Sequence, residues 1–274
     1  MSSFKNKNVL ITGGAKGIGF LMGEKSLIRG AAKLIIWDVD EKALTEAKRW
    51  FSSKGYNVIT QMVDVSNPDH VLKSAQEILE EHGSVDILFN NAGIVAGKDF
   101  VDQEMEEIKK TMDVNSLGLM YVAQAFLPTM QSRRSGHIIN IASAAGLTPN
   151  PGMTVYAASK WAAVGWSESL QLEMKKTGSP VKVLTVMPSY IDTGMFEGVT
   201  TPLLMPLLDP DVITSKILDA VESDKKRLRE PFMVKLTPLI RGILPSKIYN
   251  FVAGKIFGVY GSMDTFIGRT EEDQ

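Results

Sequence analysis

In the stretch TVYAASKWAAVGW, Tyr156 stands four residues before Lys160, among small residues that leave both side chains uncrowded. Residues at i and i+4 share a helix face, so the ammonium can sit beside the phenol. A phenol with a reference pKa near 10 must lose about 3 units, roughly 4 kcal/mol, to act as a base at neutral pH. One cation at ~4 Å supplies about that much at an effective dielectric near 20. The pair could therefore move a proton to or from an oxygen. On its own such a pair is ordinarily a surface contact, so the weight falls on its neighbours.

A second chemical signal lies near the start of the chain. VLITGGAKGIGF sets Gly13, Gly17 and Gly19, with Ile18 between the last two, after a β-branched run and at the opening of a helical pattern. Without Cβ atoms, the backbone N–H groups there can approach a pyrophosphate at the positive end of a helix. Asp38 ends the next β-branched run 19 residues after Gly19. That is close to the ~20-residue offset at which a carboxylate reaches the ribose hydroxyls of a dinucleotide. A carboxylate a few Å from a 2′-phosphate would repel it by several kcal/mol at intermediate dielectric, which favours NAD over NADP. Lys16 argues the other way, as a cation that could meet a 2′-phosphate. Asp38 is given the greater weight.

These residues need a scaffold, and the short runs NVLIT, KLIIW, NVITQMV, VDILFN, GHIINIA and VKVLTVM supply one. Each is followed by enough chain for a crossover helix, which predicts an α/β, doubly wound parallel sheet. FMV at 232–234 is expected to add a last strand, and the charged ESDKKRLRE before it to be a solvated connection. With 274 residues, 44% apolar and 22% charged, and no linker or repeat, the chain reads as one domain over 1–274. A net charge of −1 without a basic tract argues against nucleic-acid binding, and the absence of cysteine excludes thiol nucleophiles and disulfides. His70, His82 and His137 are dispersed, so no metal site is expected. The opening MSSFKNKNVLITGG does not read as a signal sequence, and no apolar run approaches the ~18 residues of a spanning helix. A cytoplasmic location is expected.

Taken together, TGGAKGIG, DV at 64–65, NNAG at 90–93, Asn115 in MDVNSLG, Ser143 in IINIASAAG and YAASK at 156–160 resemble the short-chain dehydrogenases/reductases, in order and with matching gaps from about residue 5 to 200. The resemblance implies a Rossmann fold and NAD(P)-dependent interconversion of an alcohol and a carbonyl. It implies Tyr156 as acid/base, Lys160 holding the nicotinamide ribose, Ser143 bonded to the reacting oxygen, and Asn115 anchoring a water that relays protons from Lys160. Asp64 and Val65 fall where the family contacts adenine, and Asn91, Ala92 and Gly93 beside the adenosine, with Asn90 and Asn91 also open to a structural role. Pro188, Ile191 and Thr193 complete the cofactor set, Thr193 at the carboxamide. The family's frequent glycine after that proline is Ser189 here.

Substrate should be met by the chain beyond Pro188. TGMFEGVTTPLLMPLLDPDV, within a lid at about 189–212, is apolar and rich in methionine and proline, which suits a lipophilic alcohol. A second apolar segment at about 231–269 interleaves aliphatic and aromatic residues with Lys235, Arg241, Lys247 and Lys255. Its composition fits a membrane surface, a pocket mouth or a symmetry mate equally well. With LIIWDVDEKAL, that tail resembles the branch containing retinol dehydrogenases and lipid-droplet 17-beta-hydroxysteroid dehydrogenases, which implies a retinoid, steroid or fatty alcohol. Helical patterns at about 103–131 and 155–176 correspond to those that pair across two-fold axes in the family, implying a homodimer or homotetramer. Two alternatives stay open: an inactive nucleotide-binding sensor or scaffold, and a reductase of small polar carbonyls.

Overall fold

A computed structural model describes residues 2–268. Position 269, the last of the expected apolar tail, lies outside them. Seven strands, β1 (Asn8–Thr12), β2 (Lys33–Asp38), β3 (Val58–Met62), β4 (Ile87–Asn90), β5 (His137–Ile141), β6 (Lys182–Pro188) and β7 (Arg227–Glu230), pair in parallel in the order 3-2-1-4-5-6-7. Side chains alternate between the two faces of the sheet, and the core divides accordingly. Val9, Ile11, Leu34 and Ile36 pack against α1 (Gly17–Ile28), α2 (Glu41–Ser53) and α7 (Pro210–Glu222). Leu10, Ile35, Trp37 and Leu88 pack against α3 (Pro68–Glu81), α5 (Leu119–Ser132) and α6 (Thr154–Lys176). Helix starts are written locally: Asn67, Asp40 and Asp209 accept backbone N–H groups at the entries of α3, α2 and α7. Pro68 and Pro210 take first-turn positions whose N–H would be unpaired anyway.

The chain reverses its winding between β1 and β4, and there the C-terminal strand ends leave a crevice. Between α4 (Met105–Met112) and α5 the helix loosens into a π-helical turn, Asp113–Gly118, which carries Asn115. Such turns collect at functional sites because they shift a side chain out of the helical register. His137 lies at the opposite, N-terminal edge, buried, its pKa pushed down to about 4 by burial and by the Lys182 cation.

One strand differs from the expectation. The last strand is Arg227–Glu230, within the charged run, and residues 232–234 instead begin α8 (Phe232–Ile243). β7 is an edge strand that buries only Leu228 and Glu230, so charge on its other face is no obstacle. The segment 189–212 is irregular up to Asp209, and its ends are tied where Leu208 N–H donates to Tyr190 O and Asp192 N–H to Leu208 O. After α8 come α9 (Ser246–Phe251) and a π-helical turn, Val252–Ile256. No helix among the described residues is long and apolar enough to cross a membrane.

Candidate active site

The glycine turn is built by close approach. Gly13 and Gly17 hold φ of +61° and +55°, which side chains rarely adopt, and a Cβ on Gly19 would lie 2.2 Å from the Gly13 carbonyl oxygen. Thr12, which the spacing of the glycines does not single out, clamps this turn to β4: its hydroxyl accepts N–H groups of Asn91 and Ala92 at 3.0 Å each. Asn91 donates to the carbonyl oxygens of Thr12 and Gly13 at 3.0 and 2.9 Å, so its amide shapes the turn, while its buried Oδ1 has no partner. Asn90 is structural, its Nδ2 bonded to Leu119 O and Asn140 Oδ1.

Asp38 ends β2 at the mouth of this turn. Its carboxylate accepts Ala15 N–H at 3.1 Å and Val39 N–H at 2.9 Å, which fixes it against the glycine turn. Lys16 Nζ lies 2.7 Å from Asp40 Oδ2, an ion pair unforeseen from sequence although the DEKA spacing marks Asp40 as a helix cap. That pair, after the Ala43 N–H bond, lowers the Asp40 pKa. The charge beside Asp38 is thus largely balanced locally. Asp64 and Val65 follow β3, with Asp64 accepting the Ser66 N–H and hydroxyl, and Val65 buried against Gly118.

The four expected catalytic residues converge from three elements. Asn115 Oδ1 accepts Ile94 N–H at 2.8 Å, and its Nδ2 donates to Ile94 O at 2.8 Å and Ser159 Oγ at 3.1 Å. Ser159 in turn donates to the Tyr156 carbonyl at 2.7 Å. The Asn115 side chain therefore braces the β4 loop against α6 and keeps only one Oδ1 lone pair for a water. A Cβ on Gly93 would lie 3.3 Å from Asn115 Oδ1 and 3.4 Å from Lys160 Nζ, so a glycine there lets the two polar groups converge.

The Tyr-Lys pair meets as expected, but the phenol is not lowered by the protein residues alone. Lys160 Nζ donates to Ile141 O at 3.1 Å and stands 5.6 Å from the Tyr156 ring centroid. Burial pushes the phenol up to about 12, partly offset by a Ser143 hydrogen bond and reinforced by Tyr190, and burial pushes Lys160 down to about 8. The protein residues alone thus hold the proton on Tyr156 at neutral pH. Ser143 Oγ also accepts Ala145 N–H at 3.1 Å, which fixes its rotamer.

Pro188 ends β6, Ile191 is buried and bridged to Leu208, and Thr193 is half-buried with its N–H donated to Ile191 O. Ser189, where the family usually has glycine, keeps its N–H on Glu230 O, so the strand course is preserved, and its buried Oγ has no partner. The donor set suits a dinucleotide: a glycine turn at a helix start, the Asp38 carboxylate bonded to that turn, and a buried unpaired oxygen on Asn91 beside it. Over Tyr156 lies an apolar cluster with Met153 and Met263, packed by Val95, Tyr190, Phe196 and Phe266. No group of three His, Cys, Asp or Glu among the described residues could hold a metal ion.

Comparisons with known proteins give the family and the fold. The family model described as short chain dehydrogenase matches residues 7–203. Epidermal retinol dehydrogenase 2 of Mus musculus is 36% identical over 268 residues, 96% of this chain and 86% of that protein. Estradiol 17-beta-dehydrogenase 11 of Homo sapiens is 33% identical over 251 residues, 90% and 82% of the two chains. Among solved structures, a short chain dehydrogenase/reductase from Burkholderia phymatum in complex with NAD superposes with a TM-score of 0.80 at 28% identity, over 88% of this chain and 95% of that one. A metagenomic short-chain oxidoreductase in complex with NADP gives 0.71 at 26% identity, over 84% and 100%.

Proposed function

Because the chain belongs to the short-chain dehydrogenase family, we propose that it oxidises a lipophilic alcohol, or reduces the corresponding carbonyl, with Tyr156 as the acid/base and NAD as the preferred of the two nicotinamide cofactors. The observation that carries this is the meeting of Tyr156, Ser143, Lys160 and Asn115 at the mouth of the glycine-turn crevice, under an apolar cluster. A scaffold would have no physical need of all four.

When bound, the cofactor supplies the hydride acceptor at nicotinamide C4, and its cationic oxidised ring draws the phenol's pKa back down. Gly13, Gly17, Ile18 and Gly19 cradle the pyrophosphate, Asp38 meets the ribose hydroxyls, Asp64 and Val65 border adenine, and Ala92 and Gly93 border the adenosine. Pro188, Ile191 and Thr193 meet the nicotinamide end. Lys160 orients the nicotinamide ribose from below Tyr156. In oxidation, Ser143 would hold the hydroxyl oxygen and Tyr156 would take its proton, while the bound cofactor would supply the hydride acceptor. The proton taken up by Tyr156 would leave by way of Lys160 and a water held by Asn115. In reduction Tyr156 donates the same proton.

NAD is favoured because Asp38 faces the ribose while Lys16, the cation that could meet a 2′-phosphate, is drawn to Asp40. A lipophilic substrate is supported by the apolar cluster and by a cavity lined by Met205, Met233, Ile240, Val252 and Phe257 that reaches Ala144, next to Ser143. Retinol and estradiol, named for the relatives above, are its nearest models. Contact with a lipid surface is supported by exposed Phe232, Leu239, Ile243, Ile248 and Phe251 beside Lys235 and Lys247, in a stretch with no acidic residue from 231 to 263. A homodimer or homotetramer is supported by exposed Leu117 and Leu172 at the helices that pair in the family. The chain then works as one dinucleotide-binding and catalytic domain, roofed by 189–212 and 231–268.

The test is an assay over retinoids, steroids, medium-chain alcohols and small polar carbonyls, each with NAD and NADP, following reduced nicotinamide. Turnover of a lipophilic alcohol with NAD preferred about tenfold or more is expected. Silence across the panel despite tight cofactor binding would overturn the enzyme reading, and activity only on small polar carbonyls would overturn the substrate class. Flotation with anionic vesicles in the same preparation should carry the protein upward; recovery wholly in the soluble fraction would remove the lipid contact.

A further inference from the structure

The roof over Tyr156 is made of two segments distant in sequence. Thr200 N–H donates to Ser262 O at 3.0 Å, Leu203 N–H to Phe257 O at 2.8 Å and Ile267 N–H to Glu197 O at 2.9 Å. Gly198, at φ +80°, comes so close to the tail that a Cβ there would lie 2.2 Å from Thr265 O. Lid and tail are therefore one cover. It meets the catalytic face mostly through apolar contacts: Phe196 stands edge-on between Tyr156, at 6.2 Å between centroids, and Tyr190, at 5.2 Å, while Phe266 lies over Gly97. Contacts of that kind are non-directional and do not by themselves choose one register.

Directional bonds join the cover to the catalytic face at Thr148 with Tyr249 at 2.6 Å, at Arg241 to Leu147 O at 2.9 Å, and at a buried node that includes Tyr190 of the Tyr156 cluster. Asn150 Nδ2, from the loop after Ser143, donates to Tyr190 Oη at 3.0 Å and to Ser262 Oγ at 3.1 Å. Tyr190 Oη and Ser262 Oγ are 2.8 Å apart, and Ser262 Oγ donates to Val259 O at 2.8 Å. With the serine proton spent on Val259, the tyrosine hydroxyl donates to the serine, and Asn150 satisfies both oxygens. Ser262 is fully buried and Asn150 nearly so. Tyr156 is itself 5% exposed, packed in one cluster with Tyr190, Phe196 and Phe266.

We propose that Asn150, Tyr190 and Ser262 are positioning residues for the reaction: their node sets the register of the cover over Tyr156, so that Phe196 bounds the approach of substrate to the phenol. Buried hydrogen-bonded nodes specify one arrangement where apolar packing admits several. The proposal rests on Tyr156 being the acid/base.

Tyr190→Phe keeps the ring against Phe196 and removes only the hydroxyl, and Ser262→Ala serves in parallel should that variant not fold. Each should raise KM for a lipophilic alcohol about tenfold, the scale of one lost buried hydrogen bond, with kcat within about twofold and cofactor affinity unchanged. Amide exchange, read without substrate, should quicken over 196–203 and 257–267 and stay unchanged in β4 and β5. The double variant should be little worse than either single one, as members of one network are not additive. Unchanged exchange in the cover, or a fall in kcat at constant KM, would overturn the proposal. The exchange arm does not depend on turnover, so failure of the catalytic reading remains separable from failure of the node.

Discussion

A Cβ placed on Gly19 would lie 2.2 Å from a backbone oxygen, whereas the cover reaches the catalytic face through side chains: ring pairs 5.2 and 6.2 Å apart, a three-residue polar node, and the bonds of Tyr249 and Arg241 to the loop after Ser143. The cofactor side is held by backbone meeting backbone, and such contacts cannot relax by turning a rotamer. The cover side is held by side chains, which can. This difference suits the two tasks, since one crevice binds the same dinucleotide at every turnover while the other admits the substrate. It also predicts unequal tolerance to substitution.

Tyr156→Phe should have the largest effect, a loss of about 10³ in kcat, within the range general acid–base catalysis contributes, with cofactor binding nearly intact by titration. Equal loss of both would show that the residue holds structure rather than protons. In the unsubstituted protein burial raises the Tyr156 pKa to about 12, so the protonated, proton-donating form prevails at neutral pH. Alcohol oxidation, which needs the deprotonated form, should therefore rise with pH on its acid limb, and carbonyl reduction should not; an oxidation rate that falls as pH rises from about 6 to about 8 would contradict the assignment. Gly19→Ala should come next, weakening cofactor binding by about a hundredfold, near 3 kcal/mol, because the Gly13 backbone cannot yield; an affinity within about twofold of the parent would break the contrast between the two regions. Phe196→Leu should have the smallest effect, a shift of a few-fold in KM and in the preference among lipophilic alcohols, with kcat and cofactor affinity held, as one exchanged apolar contact is worth about 1 kcal/mol. A loss as large as that of Gly19→Ala would make the cover as rigid as the turn.

The ion pair of Lys16 with Asp40 shows how a residue's neighbours decide its meaning. Taken alone, Lys16 argues for a 2′-phosphate; drawn to the cap of α2, it leaves the Asp38 carboxylate to set the local charge. Lys160 shows the same. Four residues of spacing placed it on the face of Tyr156, but burial and the Ile141 carbonyl determined where the ammonium points and moved both pKa values away from their reference values in opposite directions.

Six strand runs, a parallel doubly wound sheet, the glycine turn, Asp38 and the Tyr156-Lys160 pair were legible in the sequence, because period-2 runs, glycine spacing and an i, i+4 pair are local signals carried by adjacent residues, whereas Asn115 and Ser143 came only with the family resemblance. The charged edge strand was missed because burial on one face only leaves no apolar run to detect. Tertiary structure alone decided the rest. Asn150 and Ser262 are 112 residues apart, and no pattern in the chain marks either as the other's partner. Their meeting with Tyr190 arises from the crossing of the tail over the lid, and only in that buried setting do three ordinary polar residues acquire a directional hold on the site.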